Sequence, residues 1–349
     1  MLAASVEFRA TAFYTDHPLG FSSAMSEQTP KTPFLVARGV DAVPDALRGA
    51  FVTIGNFDGV HLGHRAAIAA VCAKARAAGR PAAALTFEPH PRVFFRPDVP
   101  LFRLSDETTK LRLLATTGLD GAIVLPFDAR LAALTAHDFV REILIERLNI
   151  AGAMIGGNFQ FGHSRTGNPD FLASEGQRLG FSVDVVPHFA IDGHNVSSGA
   201  IRKALTDGDI DLATLMLGHP WFVSGPVIHG EKRGRELGYP TANLRLDPAC
   251  NLRHGIYAVR VALDGQRYDG VASFGRRPQF DNGAPLLETF IFDFSGNLYG
   301  KTIDIAFIGR IRDEMKFESI DGLIRQMDDD SRIAREMLAR NPDAFPPVT

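Results

Sequence analysis

The chain has 349 residues, of which 45% are hydrophobic and 22% are charged, and its formal net charge is −3. This length allows two domains, and the composition is that of an ordinary folded protein. The slightly acidic balance gives no indication of a nucleic-acid binder, and no apolar run approaches the ~20 residues that a membrane-spanning helix needs.

Cys72 and Cys250 are the only cysteines and are far apart, which excludes a disulfide scaffold and favours a reducing cytoplasm.

The first 24 residues show no helical or strand period, and Met25 opens a polar run. We therefore expect residues 1–33 to be disordered or a mis-assigned start, with translation beginning at Met25.

Strands and helices alternate from about residue 34 to residue 205. Helices are predicted between the strands, one with an N-cap near Ser105 and another starting near Thr135. This alternation predicts a parallel sheet with helices on both faces and a ligand site at the carboxyl ends of its strands. The apolar runs that we interpret as strands are 51–54, 82–87, 121–125, 153–155 and 183–186.

The strongest motif is the turn 55–64, which reads GNFDGVHLGH and joins the first buried strand to an alanine-rich helix. Its glycines let the backbone approach a ligand, and the helix offers free N–H groups and the positive end of its dipole to an anion. His61 and His64 are three residues apart, so they share one face of the first helical turn. The motif predicts a nucleotide-phosphate site formed by Gly55, Asn56, Phe57, Asp58, His61 and His64.

A second glycine-rich loop, 156–162, follows the strand 153–155 and is predicted to face the same crevice. Phe159 and Phe161 in this loop could form the walls of a pocket for a flat ligand. The alternative is that both are core residues of a turn. Arg165 follows three residues after the loop and could reach a phosphate group.

The segment 196–202 has the pattern of another helix N-terminus. Ser197 or Ser198 could cap this helix and donate to a phosphate group, and Arg202 carries a guanidinium suited to bidentate phosphate contact. An ordinary capped helix has the same pattern, so the segment gains weight only beside the turn 55–64.

The pattern changes after a predicted connecting helix at 209–217. Short alternating runs at 256–263, 267–273, 286–294 and 302–308 are separated by turn residues, which predicts an antiparallel β domain that forms a small barrel. The run 319–340 closes the chain as an amphipathic helix.

The C-terminal part contains a second motif, GPVIHG over 225–230 followed by GRELGYPTAN over 234–243. A loop this rich in glycine can fold over a ligand, which makes Gly230 and Gly234 candidates for ATP contact. Thr241 and Asn243 lie two residues apart on one face of an extended segment. Their side-chain oxygens suit Mg²⁺ that carries nucleotide phosphates.

Glu288 alternates with Phe290 and Phe292 in a predicted strand, so these three side chains share a face. A carboxylate among apolar neighbours is either solvated at a strand end or held for proton transfer. For an isolated glutamate, solvation at a strand end is the more common case.

Together these motifs resemble the bifunctional bacterial riboflavin kinase/FAD synthetase family. Residues 34–205 are similar to its FMN adenylyltransferase module, a Rossmann-like HxGH nucleotidyltransferase domain, and also contain the run TFEPHP at 86–91. Residues 221–340 are similar to its riboflavin kinase domain, a small antiparallel β-barrel with a terminal helix. The resemblance leaves 206–220 as a linker helix and 341–349 as a tail.

The resemblance also implies a role for each group of residues. His61 and His64 would contact the ATP phosphates as catalytic residues, and Ser198 and Arg202 would close on them. Thr241 and Asn243 would hold Mg-ATP, and Glu288 would take the proton from the ribityl 5′-hydroxyl of riboflavin. The residues placed near the flavin are Asn158, Phe159, Phe161, Arg165 and Asn168.

The resemblance implies a cytoplasmic enzyme, a monomer or weak oligomer, that uses riboflavin, FMN and ATP with Mg²⁺ and makes FAD. The chain departs from the family pattern at Gln160, Gly199, Ser273 and Phe290. Two alternatives follow. A different HxGH nucleotidyltransferase is opposed by the whole C-terminal part. A flavin-binding regulatory protein with degenerate sites is suggested by the departures and opposed by the intact motifs.

Overall fold

The computed structural model describes residues 33–230, 238–276 and 285–348. The expectation about residues 1–33 concerns a segment that, apart from Pro33, lies outside the described residues, and so does the predicted ATP contact of Gly234. Two six-stranded sheets organise the described part of the chain, one parallel and one antiparallel.

The N-terminal sheet is parallel throughout and has the strand order β1-β4-β3-β2-β5-β6. Its central strands are buried on both faces, which explains why the sequence shows continuous apolar runs instead of alternation. The prediction of a parallel sheet is confirmed. Its strands are β1 (Leu35–Arg38), β2 (Phe51–Ile54), β3 (Ala82–Glu88), β4 (Gly121–Pro126), β5 (Gly152–Gly156) and β6 (Ser182–Val186).

Helices connect these strands, and polar side chains cap their N-termini, histidine in α1 and α2 and Asp, Thr, Asn or Ser in the others. The predicted N-cap at Ser105 is wrong, because the side chain of Asp106 accepts the hydrogen bond from Thr109 N–H while Ser105 is buried and bound elsewhere. The helices are α1 (Leu62–Ala77), α2 (Pro91–Phe95), α3 (Glu107–Ala115), α4 (Ala129–Ala133), α5 (Ala136–Asp138, continued as a π-helix over Phe139–Arg147), α6 (Pro169–Leu179) and α7 (Ser198–Asp207).

A short hairpin and a connecting helix follow the parallel sheet. The hairpin consists of β7 (Ala190–Ile191) and β8 (His194–Asn195). Helix α8 (Ile210–Leu217) begins at the Asp209 cap and ends at Gly218, as predicted. Among the described residues, no helix has the length and apolar content needed to cross a bilayer.

The C-terminal sheet is antiparallel, with the order β10-β13-β12-β11-β14-β9. An isolated bridge between Ile228 and Asn243 brings its two edges together, so the sheet is a nearly closed barrel. The predicted barrel is confirmed. Its strands are β9 (Phe222–Pro226), β10 (Thr241–Arg245), β11 (Gly255–Leu263), β12 (Gln266–Arg276), β13 (Pro285–Ile291) and β14 (Thr302–Arg312).

Helix α9 (Ile320–Arg340) begins at the Ser319 cap and packs against β11, β12 and β14. The residues after it, expected as a tail, pack back on the barrel. Phe345 is buried, and the buried guanidinium of Arg260 donates to the carbonyl oxygens of Asn341 and Ala344. These bonds anchor the segment after α9 to β11.

Side chains from both sheets meet at an ion pair. The guanidinium of Arg112 on α3 binds the carboxylate of Asp304 on β14 with both nitrogens, at 3.0 and 2.5 Å. Phe102 and Leu104 from the N-terminal part also share one apolar cluster with Trp221 and Phe307. The described residues from Phe34 onward therefore form one compact unit.

Candidate active sites

The turn 55–64 follows β2 and holds Phe57, Gly59 and Val60 in the left-handed region, with φ of 50°, 81° and 42°. This conformation is costly for side chains other than glycine and persists only where packing imposes it. Phe57 and Val60 are buried, and a Cβ atom on Gly59 would lie 2.9 Å from Cδ1 of Leu104. Packing therefore fixes the shape of the turn before a ligand binds.

His61 and His64 form a stacked pair at the N-terminus of α1. Nδ1 of His61 accepts a hydrogen bond from the backbone N–H of His64 at 3.3 Å, and the ring centroids are 3.6 Å apart. Burial lowers the pKa of His61 to about 4. Burial, with the nearby His61 and Lys110, lowers the pKa of His64 well below its usual range. Both rings are neutral at pH 7, and the proton of His61 lies on Nε2, where it can be donated to an anion.

Asp58 is a buried carboxylate that organises the same turn. Its Oδ1 atom accepts hydrogen bonds from the backbone N–H groups of Leu104 and Ser105 at 2.9 and 3.0 Å. Its Oδ2 atom lies 2.5 Å from Nη2 of Arg202. The buried charge is thus compensated by a cation and by two amide groups.

The first turn of α7 is tied to the turn 55–64. Ser197 caps α7 by accepting from the N–H of Ala200, whereas the hydroxyl of Ser198 donates to the carbonyl oxygen of Asp58 at 2.9 Å. Arg202 also donates from Nε to the carbonyl oxygen of Phe102 at 2.6 Å. The structure therefore brings Ser198 and Arg202 to the predicted phosphate site, and in this state both are bonded to protein groups.

A charged cluster beside this turn was not predicted from the sequence. Nζ of Lys110 lies 2.7 Å from Oε1 of Glu88 and 3.3 Å from the hydroxyl of Thr86, and Arg103 binds the same carboxylate at 2.6 Å. The Lys110 side chain is only 3% exposed. One carboxylate between two cations leaves local positive charge, which suits a polyphosphate. A lysine in an amphipathic helix gives no sequence signal of burial.

The loop after β5 contains the five residues placed near the flavin. Phe161 is buried and contacts the rings of Phe139 and Phe171, and the side chain of Asn168 caps α6 by accepting from the N–H of Phe171 at 2.8 Å. Asn158 and Arg165 are exposed, and the half-buried Phe159 stacks on Phe161 with centroids 5.3 Å apart. Phe161 and Asn168 thus have structural contacts, while Asn158, Phe159 and Arg165 are accessible to a ligand.

An aromatic surface lies at the carboxyl ends of β3 and β4. The rings of Phe94, Phe95 and Phe127 lie edge to face, with centroids 5.3 to 5.5 Å apart. Phe95 is 62% exposed, which is unusual for such a large apolar side chain. We call these three residues the aromatic surface. The sequence analysis missed this surface, and the signal that could have found it is the adjacent pair of phenylalanines 94 and 95, shortly after the run TFEPHP.

In the barrel, Thr241 and Asn243 lie on β10, and Asn243 pairs directly with Glu288 on β13. Asn243 is 4% exposed, and its Oδ1 atom is buried without a hydrogen-bond partner. A Cβ atom on Gly230 would lie 2.5 Å from Nδ2 of Asn243, so any other residue there would displace the amide or the loop. The predicted residues Gly230, Thr241, Asn243 and Glu288 therefore lie together.

Glu288 on β13 is half-buried. Its neighbours Leu287 and Thr289 lie on the other face of the strand and are buried. It lies between Asn243 on β10 and Ser273 on β12 in the strand register. The ring of Phe290 on the same face contacts that of Phe292, with centroids 5.7 Å apart. Glu288 thus lies at the centre of β13, directly opposite the residue whose amide oxygen has no hydrogen-bond partner.

Comparisons with known proteins identify both domains. The FAD synthetase family matches residues 43–200, and the riboflavin kinase family matches residues 217–338. The bifunctional riboflavin kinase/FMN adenylyltransferase of Haemophilus influenzae is 40% identical over 85% of this chain and 97% of its own length. The protein of the same name from Escherichia coli K12 is 38% identical over 86% of this chain and 96% of its own length.

A solved structure supports the fold as well. A crystal structure of a Streptococcus pneumoniae protein named a macrolide-efflux protein matches with a TM-score of 0.77 and 30% sequence identity, over 87% of this chain and 99% of that chain. The order of the two family matches is the order predicted from the motifs, with the nucleotidyltransferase first. The chain therefore belongs to the family of bifunctional riboflavin kinase/FMN adenylyltransferases.

Proposed function

We propose that this chain makes FAD in two ATP-dependent steps, forming FMN from riboflavin in residues 221–340 and FAD from FMN in residues 34–205. One observation carries the proposal. A single chain holds two separate sites suited to phosphate chemistry, a neutral histidine pair at a helix N-terminus and a buried, unpartnered amide oxygen beside a carboxylate.

In the N-terminal site, a phosphate oxygen of FMN attacks the α-phosphorus of ATP. The bond from that phosphorus to the bridging oxygen breaks, and pyrophosphate leaves. Because the FMN phosphate is already an anion, the step needs no protein base, and catalysis consists of positioning and charge stabilisation. We assign the donors to the Nε2–H group of His61, the ring of His64 and the free N–H groups of α1.

Further contacts to the polyphosphate come from the rim of this site. Gly55, Asn56 and Phe57 contribute from the turn itself. Ser198 and Arg202 contribute from α7. Ser198 and Arg202 are held through Asp58, so they are oriented before ATP binds. Lys110 and Arg103 add positive charge beside the turn.

We assign the isoalloxazine ring of FMN to the aromatic surface. A planar ring system stacks well on exposed aromatic side chains, and Phe95 offers the most exposed of these. Asn158, Phe159 and Arg165 on the loop after β5 complete the flavin site, since this loop lies at the carboxyl end of a neighbouring strand of the same sheet.

In the C-terminal site, the ribityl 5′-hydroxyl oxygen of riboflavin attacks the γ-phosphorus of ATP, and ADP leaves. Glu288 takes the proton of that hydroxyl during the attack. The strand register supports this role, because Glu288 is directly opposite Asn243. Gly230 lets the loop after β9 lie directly on Asn243, where it can cover the nucleotide.

The residues present fit Mg²⁺. Oδ1 of Asn243 is buried without a hydrogen-bond partner, and the hydroxyl of Thr241 is on the same face of β10. Oxygen atoms of this kind are the ligands that Mg²⁺ prefers, so Thr241 and Asn243 would hold it. Bound there, Mg²⁺ would neutralise charge on the ATP phosphates.

The proposal also covers the cellular setting. Cys72 and Cys250 are both free thiols, which agrees with a reducing cytoplasm. We propose that the protein works there as a monomer or weak oligomer, with riboflavin, FMN and ATP as its small-molecule partners.

A time course tests the proposal. Purified protein is incubated with riboflavin, ATP and Mg²⁺, and FMN and FAD are quantified separately by chromatography. We expect FMN to rise first and FAD to follow. Flavin binding without consumption of ATP would contradict the proposal and would favour a regulatory flavin-binding protein.

A further inference from the structure

Trp221 is the only tryptophan of the chain and directly precedes β9, the first strand of the barrel. Its side chain is buried, and its Nε1–H group donates a hydrogen bond of 2.9 Å to the carbonyl oxygen of Leu104. Leu104 belongs to the N-terminal part and is also buried. The indole therefore crosses from the barrel to a loop of the other sheet.

That loop, residues 102–105, binds Asp58 of the turn 55–64 and Arg202 of α7. The N–H groups of Leu104 and Ser105 bind the carboxylate of Asp58. The carbonyl oxygen of Phe102 accepts from Nε of Arg202. A shift of this loop would thus move the carboxylate and the guanidinium together.

The barrel holds the indole firmly on its other side. The ring of Trp221 stacks on that of Phe307 with centroids 5.0 Å apart, and the N–H of Phe307 donates to the carbonyl oxygen of Trp221 at 2.9 Å. Phe307 lies on β14 and is fully buried. The edge of the indole also contacts the ring of Phe102, at a centroid distance of 5.7 Å.

We infer that Trp221 is a positioning residue for FMN adenylylation: from the barrel, its Nε1–H group fixes the loop 102–105, which orients Asp58 and Arg202. This inference rests on the proposed assignment of adenylylation to the N-terminal site. Without the N–H group, the carbonyl oxygen of Leu104 is a buried acceptor with no donor, and the loop relaxes to find one. Small displacements of positioning groups reduce the rate of the chemical step strongly.

The test compares two conservative variants of the full chain. Trp221→Phe keeps an aromatic ring and removes the donor to Leu104. Tyr257→Phe is the matched control, because Tyr257 is buried in the barrel next to Phe307 and donates its hydroxyl to the carbonyl oxygen of Arg253, within the barrel. Each change removes one hydrogen bond from a buried aromatic side chain to a backbone carbonyl.

For Trp221→Phe we expect kcat for adenylylation of added FMN to fall about tenfold, with KM for ATP and the riboflavin kinase rate within about twofold of the unmodified protein. Tyr257→Phe should leave the ratio of the two activities unchanged. The inference is overturned if Trp221→Phe leaves this ratio unchanged, or if Tyr257→Phe lowers it equally. If the unmodified protein makes no FAD from FMN and ATP, the proposed function itself fails.

A second measurement does not depend on the folding of the Trp221→Phe variant. Because Trp221 is the only tryptophan, the tryptophan emission of the unmodified protein reports on this junction alone. Pyrophosphate, the product released at the N-terminal site, should change this emission, and the change should be absent in His64→Ala. Unchanged emission at pyrophosphate concentrations that inhibit adenylylation would overturn the inference.

Discussion

Arg202 is paired with Asp58, a carboxylate 144 residues earlier in the chain, with 2.5 Å between Nη2 and Oδ2. Their side chains are 19% and 4% exposed, so the pair is largely removed from water. It joins the first turn of α7 to the turn that carries both histidines. The position of the Arg202 guanidinium is therefore set by protein groups before a nucleotide binds.

The Asp58→Asn variant tests the importance of this pair. The amide keeps the size of the carboxylate but leaves the guanidinium of Arg202 without its counter-charge. We expect FAD formation from added FMN to fall at least about 100-fold, with the kinase rate retained, and the free energy of unfolding to fall by about 3 kcal/mol. Separate assays of the two reactions and urea unfolding measure these effects.

Asp330→Asn is the control for Asp58→Asn. Asp330 is also buried and binds a guanidinium, that of Arg312, at 2.8 and 2.6 Å, but it lies on α9 of the barrel. This variant should lose stability and keep adenylylation within about twofold. Equal loss of adenylylation in both variants would show that destabilisation, and not the Arg202 pair, is responsible.

Gly230→Ala tests the close approach of the glycine-rich loop to Asn243. The new Cβ atom would lie 2.5 Å from Nδ2 of Asn243, so the loop or the amide must move. We expect kcat/KM for riboflavin phosphorylation to fall about tenfold, with adenylylation unchanged. At Gly225, a Cβ atom would make an ordinary contact of 3.6 Å, so Gly225→Ala should keep both activities. Unimpaired phosphorylation in Gly230→Ala would contradict this account of the loop.

The buried His219 makes stability depend on pH. Burial lowers its pKa from 6.5 to about 4, so the unfolded chain binds a proton in this range and the folded chain does not. The stabilisation is complete above pH 6.5 and is lost as the pH falls toward 4. His219→Gln should reduce the slope of unfolding free energy against pH by up to about 1.4 kcal/mol per pH unit.

Urea unfolding at a series of pH values between 7.5 and 4.5 measures this slope. Equal slopes for His219→Gln and the unmodified protein would refute the role of His219.

Local signals predicted the type of both sheets and most of their strands, but not the edge strands β1 and β9. Apolar runs such as 82–87 and turn residues between alternating runs depend on neighbouring residues alone. The same reasoning placed Ser105 at a helix cap, but its hydroxyl accepts from Gly59 N–H, 46 residues earlier, and the cap is Asp106. Contacts between distant segments override a local preference when both residue types can cap.

In the candidate sites too, local signals predicted some positions, and contacts between distant segments determined others. The motifs placed His61, His64, Asn243 and Glu288 correctly on a turn or strand, because glycine spacing and alternation determine these positions. The burial of Lys110 beside Glu88 depends on how α3 packs on the sheet, and no sequence period encodes that. The exposure of Phe95 likewise follows from the position of α2 beyond the carboxyl end of β3.

The most direct test of the two-site account is to quantify FMN and FAD made by two variants, Glu288→Gln and His64→Ala. We predict that Glu288→Gln makes no FMN from riboflavin but converts added FMN to FAD. His64→Ala should make FMN and no FAD. The account would be contradicted if either variant, shown to be folded, lost both activities.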